Sequence, residues 1–213
     1  AVRALNQMSP ASYSIGLSDG STLEADAVIL TVPAFAAAGL LAPLAPQAAE
    51  VLRRIPYAST ATVSLAYRRE DVQHPLNGSG FLVSRGEGNL VTACTWVSSK
   101  WPGRAPSGHV LLRAYVGAYG REEALALDDD QIVTAVEEVL APVLQITGRP
   151  LFAIVSRWIR SMPQYTVGHL EKVAGVERSL DGLPGVYGAG AAYRGVGIPD
   201  CVRQGQEAAR RAL

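Results

Sequence analysis

The residues best suited to chemistry lie near the end of the chain, in the glycine-rich stretch Gly188-Ala-Gly-Ala-Ala-Tyr-Arg-Gly-Val-Gly-Ile-Pro-Asp-Cys201. Gly195 and Gly197 let the backbone approach a flat ligand with no Cβ in the way. A helix predicted to begin near Ile198 adds unpaired N–H groups and a positive dipole end, a seat for negative charge. An ordinary glycine turn packing a final helix on a sheet reads the same way. A dinucleotide phosphate loop does not fit. Gly188-Ala-Gly190 starts like one, but Tyr193 replaces the third glycine, and the acidic residue expected about 20 positions on falls where the chain is nearly finished.

Other chemistries are absent. Cys94 and Cys201 form no CxxC pair, nothing suggests a disulfide, and a reducing compartment suits them. His74, His109 and His169 are scattered without ligand spacing, so the sequence offers no metal site. There is no GxSxG elbow, P-loop or carboxylate pair with an evident role. Lys plus Arg number 19 against 19 Asp plus Glu. That balance argues against nucleic acid as a partner, and the absence of like-charge runs argues against a polybasic membrane anchor.

The elements that must position the glycine stretch follow from pattern. Val2 to Leu5 reads as a strand, and Tyr13 to Leu17, the turn Asp19-Gly20 and Leu23 as a meander. Ala27 to Val32 is an apolar run suited to a strand buried on both faces, stopped by Pro33. No charge occurs from Ala27 to Pro46, but three prolines divide that stretch, so it reads as a strand and a short helix rather than a membrane span. Gln47 to Ile55 is a short amphipathic helix. Ser59 to Tyr67, Gly80 to Ser84, Leu90 to Val97 and His109 to Val116 are strands of an antiparallel or mixed sheet. Asp128 caps a helix through Leu140 that Pro142 kinks or ends, and Phe152 to Trp158 is a further strand. After a loop come a short strand at Val186 to Ala189 and a final helix opened by Pro199.

Three motifs resemble the protoporphyrinogen and coproporphyrinogen oxidase family, within the flavin amine oxidase-like superfamily. Ala192-Tyr-Arg-Gly-Val-Gly-Ile-Pro-Asp-Cys-Val202 is similar to its closing FAD motif. Met162-Pro-Gln-Tyr-Thr-Val-Gly-His169 resembles a second signature, and Asp26-Ala-Val-Ile-Leu-Thr-Val-Pro33 with Ala34-Phe-Ala-Ala-Ala38 a third. The third is shared with amine oxidases and carotenoid desaturases. The motifs occur in the family's order, and the similarity covers essentially the whole chain.

The resemblance implies an α/β plus α+β fold: part of an FAD-binding, glutathione-reductase-type Rossmann domain with an interleaved mixed-sheet substrate domain. Residues 1–46 and 150–213 fall to the FAD domain, and 47–149 to the substrate domain. Cofactor residues carried over are Val2, whose backbone meets the adenine, Trp158 near the flavin, and Gly195, Val196, Gly197 and Ile198 under the pyrimidine end of the isoalloxazine. There the charge of a reduced flavin, near N1, would meet the helix end. Gly80, Phe81 and Leu82 fall in the tetrapyrrole cavity. No catalytic side chain is assigned, because the flavin itself takes the hydride. Tyr165 and His169 read as structural or domain-junction residues. Arg113 could pair with a propionate, but a lone strand arginine is more often solvated, and it stays outside the assigned site.

The implied activity is FAD-dependent oxidation of protoporphyrinogen IX to protoporphyrin IX in haem biosynthesis, with oxygen as acceptor. The alternatives are coproporphyrinogen III oxidation and another amine oxidase-like reaction. No residue in the sequence reads the two side chains by which the porphyrinogens differ, and none specifies an oligomeric state. A cytoplasmic enzyme is expected. Attachment to a membrane periphery through an apolar patch would suit a greasy substrate, though no segment demonstrates it. The family's N-terminal GxGxxG loop does not occur in this sequence. The chain alone is therefore expected to bind FAD weakly or not at all and to be inactive.

Overall fold

The computed structural model describes residues 1–213 except the side chain of Arg85. The chain divides into two compact units, Ala1–Tyr57 with Pro163–Leu213, and Ala58–Met162.

In the first unit, β1 (Val2–Ser9), β2 (Ser12–Leu17) and β3 (Thr22–Ala25) form an antiparallel meander. Its second turn is locked by Asp19, whose carboxylate accepts from the Ser21 amide at 2.9 Å. β4 (Val28–Leu30) pairs in parallel with β10 (Val186–Gly188), which returns from far along the chain. Pro33 ends the apolar run and precedes α1 (Ala34–Leu41), and α2 (Pro46–Arg53) follows. The alanines let these short helices pack closely: Ala34, Ala37, Ala38, Ala48 and Ala49 are buried with Leu41 and Leu52. The sequence between Met162 and Val186 reads as a loop, yet it holds α5 (His169–Leu180), whose buried positions 169, 173, 176 and 180 follow the helical repeat. α6 (Ile198–Ala212) closes the unit.

In the second unit, five strands are ordered β6 (Gly80–Leu82), β7 (Val91–Trp96), β8 (His109–Val116), β5 (Tyr57–Arg68) and β9 (Phe152–Pro163). α3 (Val97–Lys100) is a single turn after β7. Along β8, Val110, Leu112, Ala114 and Val116 are buried while the residues between them are not. This period of two gives the sheet one core face. α4 (Asp129–Leu144) covers that face with Ile132, Val136, Leu140 and Leu144, against Val63, Leu65 and Tyr67 of β5. Asp128 and Gln131 form a capping box at its start. Pro142 does not end α4. It is exposed in the last turn, where the helix stops at a left-handed Gln145 (φ 51°). A proline so close to the C-terminus removes one backbone bond and meets solvent rather than packed neighbours.

The units meet in sequence within strands, at 57/58 and 162/163, whereas the sequence places the boundaries near 46 and 150. The reason is packing. α2 belongs to the alanine-rich core of the first unit, and β9 runs to Pro163 as an edge of the five-stranded sheet. Trp158 accordingly lies in the second unit.

Candidate functional site

In the first unit the glycine stretch leaves β10 and is tied down almost entirely by side chains from other elements. The Ala189 amide extends the parallel ladder to the Leu30 carbonyl at 3.1 Å. Tyr193 then turns inward and is buried, with its ring filling the place a Cβ on Gly188 would occupy, 2.7 Å from Cζ. Among the described residues its hydroxyl has no hydrogen-bond partner, and burial pushes its pKa well above the usual phenol range.

Tyr165 and His169 hold the loop. The Tyr165 hydroxyl accepts from the Gly195 amide at 2.9 Å and donates to the Ala191 carbonyl at 2.7 Å. Partial burial raises the Tyr165 pKa, so the hydroxyl keeps the proton it donates. Its ring stacks on His169 with centroids 3.8 Å apart and planes 13° from parallel. The buried His169 donates from Nε2 to the Tyr193 carbonyl at 2.9 Å, which sets its tautomer. Arg194 makes a two-pronged pair with Glu177 of α5, at 2.8 and 2.5 Å. Gln204 of α6 is buried and bridges the Asp200 carbonyl (3.2 Å) and the Arg194 amide (3.3 Å). Tyr165→Phe removes one acceptor and one donor in a partly exposed position. The expected cost to the local closed state is about 1–2 kcal/mol. The check is amide exchange at Gly195, which should accelerate about tenfold or more while the β4–β10 ladder is unchanged.

The loop ends at a helix start that is less bare than its sequence suggests. Gly195 has φ +130°, and a Cβ there would lie 2.5 Å from Cγ of Asp200. Asp200 places a carboxylate in the first turn of α6, partly balanced by Arg203 at 3.1 Å, and Pro199 contributes no N–H. The seat for negative charge is therefore shared with a resident carboxylate. On the solvent side, Val196 is 60% exposed, Ile198 80% and Val202 54%. Three apolar side chains around a glycine backbone make a small apolar surface suited to a flat ligand. Val2, also assigned to the cofactor, is half-exposed at the start of β1 opposite Leu17.

In the second unit, the residues assigned to the substrate and to Trp158 fall on one sheet. Leu82 is opposite Ala93, Ala93 opposite Tyr115 and Tyr115 opposite Thr62. The Trp158 Nε1 donates to Thr62 Oγ1 at 3.3 Å. Leu82 is 87% exposed, whereas Phe81 is opposite the buried Cys94 and packs against the core face with α4. Burial pushes the Cys94 thiol up to about 12, so it is inert at neutral pH. Gly80 has φ +137° and lies so close to the Cys94 carbonyl that no larger residue fits. Among the described residues, no cluster of His, Cys, Asp or Glu could hold a metal ion, and no helix is long and apolar enough to cross a membrane.

Sequence reasoning treated Tyr165 and His169 as structural residues, and missed what they hold. Tyr165 precedes α5 and His169 opens it, so no helical repeat links the two rings and their stacking left no signal in the sequence. The parts played by Glu177 and Gln204 carried no signal either.

The flavin-containing amine oxidoreductase family model matches residues 1–213. The coproporphyrinogen III oxidase of Bacillus subtilis is 45% identical over 94% of this chain and 43% of its own length. The chloroplastic protoporphyrinogen oxidase of Nicotiana tabacum is 30% identical over 88% of this chain and 36% of its own. A crystal structure from Exiguobacterium sp. 255-15, of a protein provisionally called a protoporphyrinogen oxidase, superposes with a TM-score of 0.82 at 36% identity. It covers 97% of this chain and 44% of that one. The chain thus spans less than half the length of each of these relatives.

Proposed function

The chain belongs to the flavin-containing amine oxidoreductase family, and we propose that it is part of an FAD-dependent oxidase that converts a porphyrinogen to the porphyrin in haem biosynthesis. FAD is the cofactor of this fold. The reading rests on one observation above others: 45% identity to a coproporphyrinogen III oxidase across 94% of the chain. Coproporphyrinogen III is therefore the favoured substrate. Protoporphyrinogen IX is the second reading, supported by the tobacco relative and the Exiguobacterium structure.

The first unit would supply most of the FAD contacts, and the second Trp158 and the substrate sheet. The fit to FAD is visible in the loop, where Gly195 and Gly197 leave the backbone uncovered and Val196 and Ile198 present exposed apolar surface. Gly195, Val196, Gly197 and Ile198 would hold the pyrimidine end of the ring system, Val2 the adenine, and Trp158 the neighbourhood of the flavin. When bound, FAD supplies the hydride acceptor, and oxygen carries the electrons away as hydrogen peroxide. A porphyrinogen gives up six electrons in becoming a porphyrin, so three molecules of oxygen yield three of peroxide. The part of this chain is to fix the cofactor loop through Tyr165, His169 and Gln204 and to offer Gly80 and Leu82 to the macrocycle, while Phe81, assigned with them, packs on the core face beneath. No acid or base of the chain is assigned a proton.

The test is the flavin-loaded full-length gene product under air, with each porphyrinogen, followed by porphyrin fluorescence. Faster oxidation of coproporphyrinogen III supports the favoured reading, and faster oxidation of protoporphyrinogen IX the second. Oxidation of neither sinks both and leaves only the family.

A further inference from the structure

We propose that Arg113 is a carboxylate anchor on the sheet face that α4 leaves uncovered, where it takes a propionate of the macrocycle. This rests on the porphyrinogen reading above. β8 is the central strand of the five. Its buried residues, Val110, Leu112, Ala114 and Val116, point to the α4 side. Alternation therefore places Leu111, Arg113 and Tyr115 on the opposite face.

The register then sets the neighbours of Arg113. Thr95 and Gly80 continue its row on one side and Ser64 on the other. None of these carries a charge, and Gly80 has no side chain at all. The adjacent row is Leu82, Ala93, Tyr115 and Thr62, with Trp158 bonded to Thr62. These two rows offer a floor of small and hydroxyl side chains, two aromatic rings and one guanidinium; Arg68, further along β5 on the same face, is paired with Glu70.

That guanidinium combines partial burial with the lack of a counter-ion, whereas among the described residues Arg3, Arg149 and Arg210, also outside any ion pair, are exposed. Arg53 pairs with Glu50, Arg157 with Asp129, Arg194 with Glu177 and Arg203 with Asp200. Arg113 is half-buried, and among the described residues no carboxylate pairs with it and no carbonyl accepts from it. A partly desolvated cation without a counter-ion is costly unless a ligand supplies one. The guanidinium fork matches a carboxylate with two parallel hydrogen bonds, and flat rings beside it suit a macrocycle. Coproporphyrinogen III carries four propionates and protoporphyrinogen IX two, so a carboxylate anchor here also bears on the choice between them.

The experiment titrates flavin-loaded full-length protein with two probes, coproporphyrin III and its uncharged tetramethyl ester. Arg113→Met keeps the stem and removes the fork. It is expected to weaken the acid about 10- to 100-fold, the range for a charge-assisted hydrogen bond, and to leave the ester unchanged. Arg113→Lys keeps the charge without the fork and should fall between. An unchanged affinity for the acid overturns the proposal, and so does equal weakening of acid and ester, which signals a damaged sheet. If the wild-type protein binds neither probe, the porphyrinogen reading fails and Arg113 loses its ligand with it.

Discussion

Gly195→Ala is expected to strip FAD from the full-length protein. A Cβ at this position meets three atoms of the Asp200 side chain between 2.5 and 2.6 Å, and φ +130° is a conformation that L residues rarely adopt. The strain alone is on the order of 1–3 kcal/mol. Relieving it must move either the loop away from the Tyr165 hydroxyl or the first turn of α6. Both carry the surface assigned to the flavin, so cofactor affinity should fall about 100-fold or more. The measurement is flavin stoichiometry after gel filtration, beside circular dichroism to show that the fold persists. Gly20→Ala is the control. It too has positive φ (+87°), but open space surrounds it, and it should retain the cofactor. Full flavin content in the Gly195 variant would remove this loop from the binding site.

Gly80→Ala carries the larger structural effect. Its Cβ would stand 2.0 Å from the Cys94 carbonyl oxygen and 2.9 Å from the Thr95 Cα. These are backbone atoms of a paired strand and cannot swing aside as a side-chain tip can. The expected cost is about 3 kcal/mol or more, from the φ strain and the loss of β6 pairing together. Amide exchange at Val83 and Trp96, which bond to Thr92 and Ser79 across this hairpin, should become fast. Gly108→Ala, also at positive φ (+72°) but with nothing within 4 Å, isolates the backbone term and should cost about 1 kcal/mol. Equal effects from the two substitutions would mean that close approach at Gly80 is not what the glycine provides. Leu82 and the substrate row would then be tolerant of this position.

Much of the fold was legible because local rules agreed with the final packing. The alternation in His109 to Val116 gives β8 with the same bounds, since one face of that strand meets α4 and the other does not. Asp128 marks the start of α4 because the capping box is a local device. The meander was legible from Asp19-Gly20, where a carboxylate closes its own turn. α5 was missed although Val173, Val176 and Leu180 carry its repeat. Its N-cap is Gly168, in a left-handed conformation and without a side-chain cap bond, so the usual start signal is absent.

The site divides in the same way. By itself the sequence determined the candidate loop, because glycines at 195 and 197 and proline at 199 have meanings that do not depend on distant partners. Its motifs also determined the family resemblance. Only the tertiary structure decided what holds the loop and what else joins it. Tyr165 meets Gly195 across 30 positions, Glu177 meets Arg194 across 17, and Thr62 meets Trp158 across 96. Arg113 looked like any strand arginine until the register put uncharged residues on both sides of it. Periodicity reports which face a residue takes within its own element. The identity of the group opposite is set by strand order and register, which arise from long-range pairing and leave no local trace.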